Sequence, residues 1–139
     1  MIYLLDTNAL VFFLKDAPEL GGRARRVLSD PRSQLVVPAY CIEELRLNLP
    51  NTGATPMRVP PLAVLRLLAR CRNVRVFAAG IGVQAEYSYL QGMRPSMVDR
   101  QDFPIVATAI SIRKGTGVEV TILTRDRKRK NWPGVATLW

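Results

Sequence analysis

Residues 2–14, IYLLDTNALVFFL, determine how this chain begins to fold. Ile2–Leu5 is a short unbroken apolar run, which is typical of a parallel strand covered on both faces. Asp6 follows directly and, with Thr7 and Asn8, can cap the helix that residues 9–14 begin. The stretch therefore predicts a strand and a helix joined by a turn that carries a carboxylate.

The same alternation of apolar runs and helical stretches continues along the chain. Strands are predicted over residues 2–5, 35–37, 74–77, 120–123 and 135–138, and helices over 9–14, 23–29, 40–49, 62–71, 83–90 and 103–112. Strands that alternate with helices favour a parallel sheet between layers of helices. No repeat and no change of composition divides the chain, so we expect one domain, residues 1–139.

The composition excludes several kinds of catalytic site. The chain has 139 residues, 20 Lys and Arg against 11 Asp and Glu, and no histidine, which gives a net charge of +9. Without histidine there can be no Ser-His-Asp triad, no Cys-His pair and no HExxH zinc site. The excess of positive charge indicates a polyanionic partner, either nucleic acid or an acidic protein.

The cysteines and the first apolar run indicate in which cellular compartment the protein is found. Cys41 and Cys71 do not make a disulfide framework in a chain of this size. The first apolar run is interrupted by Asp6 and closed by Lys15 and Asp16, so it is shorter than the roughly 20 residues that span a membrane. We expect a cytoplasmic protein that does not enter the membrane.

Four carboxylates fall at related places in the predicted sheet. Asp6 follows the first strand and Asp126 follows the fourth, whereas Glu44 lies in the helix after the second strand and Asp102 opens the helix before the fourth. The carboxyl ends of parallel strands meet at one edge, where ligands bind. Alone, each acid can be a helix cap or a turn residue. Together they would repel unless a cation joined them, and oxygen ligands favour Mg²⁺ or Mn²⁺.

Four segments carry a resemblance to a known family. In this order, IYLLDTNAL, VVPAYCIEEL, DFPIVATAI and VTILTRD resemble the motifs of PIN domains, most closely those of the VapC-type ribonuclease toxins of toxin–antitoxin pairs. The resemblance implies an α/β fold, a three-layer α/β/α sandwich with a central, mainly parallel five-stranded sheet. It also implies a metal-dependent endoribonuclease that uses Mg²⁺ or Mn²⁺.

The resemblance assigns roles to individual residues. The implied catalytic and metal-binding residues are Asp6, Glu44, Asp102 and Asp126, with Asn8, Thr124 and Asp99 in support. Glu43 remains an alternative to Glu44, because the pattern fixes this acid only through the leucine that follows. Asp99 is either an auxiliary ligand or a cap.

The chain departs from the family pattern at two prolines. Pro38 stands where the family usually has Ser or Thr. Pro104 must lie in the first turn of its helix, since further in its ring would clash with the preceding turn, and this predicts a helix start near Arg100. Residues 50–61 match nothing in the pattern.

Basic residues surround the last of the four acids: Arg125, Arg127, Lys128, Arg129 and Lys130. They would place phosphate-binding charge for RNA beside the metal site, although such a run is also typical of a solvated turn. The resemblance further implies an antitoxin, often with an acidic tail, and a homodimer. The leucine-rich helix and the helix with Tyr87 and Tyr89 could contribute to such interfaces, but we expect most of the leucines in the core.

Two other functions remain open from the sequence. One is a catalytically silent PIN-like module that binds RNA or a protein, and the other is an RNA-processing PIN nuclease without an antitoxin. A phosphoaspartyl enzyme also places Asp after its first strand, but the stretch Asp6-Thr7-Asn8 lacks the second Asp of a DxD motif.

Overall fold

The computed structural model describes residues 1–47, 60–93, 102–125 and 134–139. The strands there are β1 (Ile2–Leu5), β2 (Gln34–Pro38), β3 (Val74–Phe77), β4 (Val120–Leu123) and β5 (Ala136–Leu138). The helices are α1 (Thr7–Lys15), α2 (Gly22–Ser29), α3 (Ala39–Leu47), α4 (Pro61–Ala69), α5 (Ile81–Met93) and α6 (Phe103–Thr116). The predicted strands and helices are thus confirmed, with ends that differ by a few residues.

The five strands form one parallel sheet in the order β3-β2-β1-β4-β5. This confirms the expected PIN-like α/β/α architecture. From β1 the chain builds outward through β2 to β3, and it then returns to the other side of β1 to add β4 and β5. The strand order therefore reverses between β1 and β4. In parallel sheets such a switch point leaves a crevice at the carboxyl ends of its two strands.

Helices cover the sheet on both faces. Right-handed crossovers place α1 to α4 on one face and α5 and α6 on the other. In agreement, α1 packs against α3 and α3 against α4, whereas α5 packs against α6. All four residues of β4 and three of the four in β1 are buried. Continuous burial of this kind explains why these strands read as unbroken apolar runs and do not alternate with polar residues.

Two acidic residues, Asp6 and Asp102, lie at the N-termini of helices α1 and α6. Asp6 is the N-cap of α1, and its Oδ1 accepts a hydrogen bond from the backbone N–H of Ala9 at 2.7 Å. Helix α6 begins at Phe103 and not near Arg100, which lies outside the described residues. Pro104 occupies the first turn, as expected, where its missing N–H would have had no helical partner. Asp102 consequently sits at the helix start.

The leucine-rich helix α4 corrects one expectation. Leu68 is buried, but Leu62, Leu65 and Leu67 are 58%, 40% and 45% exposed. The prediction that most of these leucines pack in the core is therefore wrong. Among the described residues, α4 packs against β3, the edge strand of the sheet, and against α3, and these contacts leave Leu62, Leu65 and Leu67 exposed.

Cys41 and Cys71 are not joined by a disulfide, and Cys41 is buried with its Sγ 3.7 Å from the carbonyl oxygen of Leu5. Among the described residues, no helix has the length and apolar character needed to cross a bilayer.

Candidate active site

The site begins at the switch point between β1 and β4. Leu5 and Leu123 are register partners, so the next residues, Asp6 and Thr124, emerge side by side from neighbouring strands. The backbone N–H of Asp6 donates to the carbonyl oxygen of Leu123 at 3.2 Å, which holds the two strand ends together. Asp6 and Thr124 are only 2% and 4% exposed. A carboxylate and a hydroxyl are thus fixed beside each other at the carboxyl edge of the sheet.

Glu44 joins this edge from helix α3. Its Oε2 accepts a hydrogen bond from the hydroxyl of Thr7, in the first turn of α1. Its Oε1 accepts one from the hydroxyl of Tyr40, one helical turn earlier on α3. Glu43 is exposed, whereas Glu44 is half-buried. Of the two glutamates left open by the sequence, the structure brings Glu44 to the turn that follows β1.

Asp102 belongs to the opposite layer of helices, at the start of α6. It is 5% exposed and lies at the N-cap position of α6. Its side chain makes no capping hydrogen bond to α6, whose residues are all described, so helix capping does not account for this buried acid. The positive end of the helix dipole favours a negative charge at this position.

The Tyr40 hydroxyl that donates to Glu44 has a raised pKa. Burial raises the pKa of the Tyr40 hydroxyl well above its ordinary value, and the hydrogen bond to Glu44 and the negative charges of Glu44, Cys41 and Asp102 raise it further. Tyr40 therefore stays protonated and keeps donating to Glu44.

Sequence reasoning identified Glu44 but missed the two hydroxyl groups that hold it. Tyr40 stands four residues before Glu44, a spacing that puts both side chains on one face of a helix, and this signal was readable. The role of Thr7 was not readable, because its contact with Glu44 joins residues 37 positions apart.

Several predicted site residues lie outside the described residues. They are Asp99, Asp126, Arg127, Lys128, Arg129 and Lys130. Within residues 1–47, 60–93, 102–125 and 134–139, no three acidic or cysteine side chains form a group that could hold a metal. Arg125 is described; it is exposed and directly follows Thr124. The neighbouring positions of β1 and β4 confirm that the strands preceding Asp6 and Asp126 are adjacent.

The donor chemistry of the site suits a hard divalent cation. Asp6, Glu44, Asp102 and Thr124 present oxygen atoms, which Mg²⁺ and Mn²⁺ prefer. In addition, Oδ1 of Asn8 is buried and accepts no hydrogen bond from any residue in the described part of the chain. A buried acceptor without a partner is costly, so this oxygen is suited to a ligand from outside the described residues.

Comparison with known proteins shows the fold. No protein-family model and no curated protein sequence matches the chain. Its structure resembles that of VapBC2 from Rickettsia felis, bound to a DNA fragment from their promoter, with a TM-score of 0.68 and 15% identity over 99% of this chain and 98% of that one.

Two further VapBC structures resemble this chain. VapBC-1 from nontypeable Haemophilus influenzae matches with a TM-score of 0.62 and 21% identity. DNA-bound VapBC from Salmonella typhimurium matches with a TM-score of 0.63 and 22% identity. Each match covers 99% of this chain and 97% of the other. The chain therefore shares its fold with a component of these VapBC structures.

Proposed function

We propose that this chain is a VapC-type PIN-domain toxin, a metal-dependent endoribonuclease that cleaves RNA phosphodiester bonds. One observation supports this most directly. Asp6 and Thr124 at the switch point, Glu44 held by Thr7 and Tyr40, and Asp102 at the start of α6 reach the carboxyl edge of the sheet from four separate segments. In this proposal the acids that face this edge would repel one another, and a bound cation would offset that repulsion.

In this proposal Asp6, Glu44, Asp102 and Asp126 hold Mg²⁺ or Mn²⁺, and Asn8, Thr124 and Asp99 support them. A bound cation would activate water and neutralise charge that develops on the phosphate. The chain contributes by fixing its carboxylates: Asp6 through its cap hydrogen bond, and Glu44 through two hydroxyl donors. Carboxylates that are already oriented do not have to reorganise during the reaction.

The charge distribution supports RNA as the substrate. The chain carries +9 overall, and two of its acids, Asp6 and Asp102, are buried. Arg125 lies directly after Thr124 at that edge, and Arg127, Lys128, Arg129 and Lys130 follow it in sequence. Basic side chains beside the acids would bind the backbone phosphates and bring the scissile bond to the cation.

The likeness to VapBC structures supports a protein partner as well. The matching structures are all of VapBC, so we propose a cognate antitoxin for this chain. We also propose a homodimer of its single PIN-like domain, which the family resemblance implies. The proposed location is the cytoplasm, where RNA is available.

An RNA cleavage assay with and without EDTA tests the nuclease activity. Wild-type protein should cleave RNA in Mg²⁺ or Mn²⁺ and stop in EDTA. Asp6→Asn and Asp102→Asn should reduce cleavage to background while the far-UV circular dichroism stays unchanged. The matched control is Glu43→Gln, which removes an exposed acid next to Glu44 and should retain activity.

Other outcomes would favour the alternatives. Salt-sensitive RNA binding without cleavage under any metal condition would identify a silent binding module. If the chain cleaves RNA and no protein encoded by a neighbouring gene inhibits that cleavage, an RNA-processing nuclease would be favoured over a toxin. Full activity in Asp6→Asn would contradict the proposed site itself.

A further inference from the structure

A cavity of about 440 Å³ lies against the sheet on the side that α6 covers. It is lined by Ile2, Val36 and Phe77, which come from the neighbouring strands β1, β2 and β3. Ile112 of α6 lines it from the helix layer. Cavities of several hundred Å³ that combine apolar lining with a few polar groups are typical of sites for small molecules.

The cavity is separate from the proposed nuclease site. It includes the amino ends of the strands, because Ile2 and Gln34 are the first residues of β1 and β2, and Asn73 directly precedes β3. The proposed nuclease site begins at the opposite end of β1, where Asp6 follows the strand. None of the proposed catalytic residues that the structure describes lines the cavity. A ligand bound here would therefore be additional to the RNA substrate and its cation.

Two arginines bring uncompensated positive charge to the cavity. Of the three arginines that line it, Arg32 is neutralised by Asp30, whose two carboxylate oxygens accept hydrogen bonds from Nε at 3.1 Å and from Nη2 at 3.2 Å. Arg72 and Arg75 form no ion pair with any residue in the described part of the chain. No Asp or Glu is among the described residues that line the cavity. An anionic ligand would supply the missing counter-charge.

Arg75 occupies the end of an otherwise apolar row across the sheet. Strand register aligns Ile122, Leu4, Val36 and Arg75, so these side chains project from the same face. The first three are buried, whereas Arg75 is exposed. A charge on an edge strand can serve only to prevent pairing with other chains. Here, however, the charge stands at a cavity with an apolar lining, which is the arrangement of a site for an amphipathic anion.

An aromatic ring and two amides complete the lining. Phe77 lies two residues after Arg75 on β3, so it projects from the same face, and it is half-buried. The Asn73 amide is fixed in orientation, because its nitrogen donates to the carbonyl oxygen of Asp30 at 3.3 Å. Gln34 contributes a second amide, which is exposed. Aromatic rings stack on nucleobases, and amide side chains form hydrogen bonds with base edges.

These features together select a class of ligand. Inorganic phosphate would engage the arginines and leave the apolar lining unfilled. A simple carboxylate would leave the aromatic ring and the amides unused. A nucleotide uses all three, since its phosphate suits the planar guanidinium groups and its base suits the ring and the amides. We infer that this cavity binds a nucleoside monophosphate, with the phosphate on Arg72 and Arg75 and the base against Phe77.

Isothermal titration calorimetry with AMP, GMP, CMP and UMP tests this inference. The titrations are run in EDTA, so that no cation at the acidic site can bind the phosphate. At least one nucleotide should bind about tenfold or more tightly than inorganic phosphate, because the base adds stacking energy. Arg72→Gln and Arg75→Gln should each weaken nucleotide binding by about fivefold or more, which corresponds to about 1 kcal/mol. Phe77→Leu should weaken nucleotide binding and leave phosphate binding unchanged.

Two matched variants serve as controls. Arg23→Gln on α2 and Arg66→Gln on α4 each remove an exposed arginine that does not line the cavity. Both should leave nucleotide affinity within about twofold of wild type, because salt screens exposed charges that lie away from the ligand. Far-UV circular dichroism checks that every variant is folded. The arginine variants change only exposed side chains, so they test the inference even if Phe77→Leu lowers stability.

Four results would overturn the inference. They are the absence of nucleotide binding, nucleotide binding that Arg75→Gln does not weaken, inorganic phosphate that binds as tightly as every nucleotide, and a short RNA that binds through Arg75 when free nucleotides do not. Arg75→Gln should cleave RNA as wild type does, since Arg75 lies outside the proposed nuclease site. The titration requires no cation and no cleavage, so its failure would leave the proposed nuclease untouched.

Discussion

The hydroxyl group of Thr7 donates a hydrogen bond to the carboxylate of Glu44, which connects the first turn of α1 to the middle of α3. The bond ties an acid on one helix to the residue that follows Asp6. Together with the Tyr40 hydroxyl on the other oxygen, it leaves Glu44 little freedom to rotate. Both donors therefore fix where this carboxylate points.

Tyr40→Phe removes one of these donors and retains the aromatic ring. Under the proposed function we expect kcat to fall about tenfold, because supporting groups that orient ligands typically have effects of this size. The apparent affinity for Mn²⁺, measured by calorimetry in the absence of RNA, should fall as well, whereas KM for RNA should change little. Tyr89→Phe, at an exposed position of α5, is the control. Unchanged Mn²⁺ affinity in Tyr40→Phe would argue against a positioning role.

Glu44→Gln and Glu43→Gln test which of the two adjacent glutamates contributes to cleavage. Only Glu44 contacts Thr7 and Tyr40, so Glu44→Gln should lower cleavage by about tenfold or more. Glu43→Gln should cleave at the wild-type rate. The two variants have the same charge change and differ by one residue, so steady-state cleavage of one RNA substrate compares them directly. Equal losses in both would show that the loss comes from net charge and not from position.

The tyrosine titration tests the environment of Tyr40. Burial and the hydrogen bond to Glu44 raise its pKa, so the neutral hydroxyl is favoured in the folded state. The stabilisation from this group is fully present below the unfolded tyrosine pKa of about 10 and is lost as the pH rises through the raised folded pKa. Absorbance at 295 nm should show that one of the four tyrosines ionises later than the others. Tyr40→Phe should remove that step, and Glu44→Gln should move it to lower pH.

Asp6→Asn should remove cation binding without lowering the stability of the fold. Asparagine caps helices about as well as aspartate, so the hydrogen bond to Ala9 can be kept. The substitution also removes one of the two buried carboxylates among the described residues, so in EDTA the variant should melt no lower than wild type. Added Mg²⁺ should raise the melting temperature of wild type and not that of the variant, because ligand binding stabilises only the state that binds it.

Asp6→Ala is the companion variant. It loses the cap hydrogen bond as well as the charge and should unfold with about 1 kcal/mol less free energy than Asp6→Asn. Equal melting temperatures for the two variants would contradict the capping role. A Mg²⁺-dependent rise in Asp6→Asn would contradict the role of Asp6 as a cation ligand.

The positions of the strands and of most helices could be predicted from the local pattern of apolar and polar residues. The apolar runs of β1 and β4 are unbroken because both faces of those strands are buried, and this pattern is visible without a structure. The start of α6 was misplaced, because Pro104 restricts the helix to a first turn at or before it but does not say which residue begins that turn. The leucines of α4 were misassigned, because an apolar stripe reads the same whether the core or another molecule covers it.

The sequence by itself determined the order of strands and helices, the parallel sheet and the position of each acid relative to its strand or helix. These follow from side-chain periodicity and backbone preference, which act over a few residues. Only the tertiary structure decided that β1 and β4 are neighbours, that Glu44 and not Glu43 meets Thr7, and that Tyr40 feels the charge of Asp102. Such relations join residues tens of positions apart and depend on how whole helices pack, which local pattern does not encode.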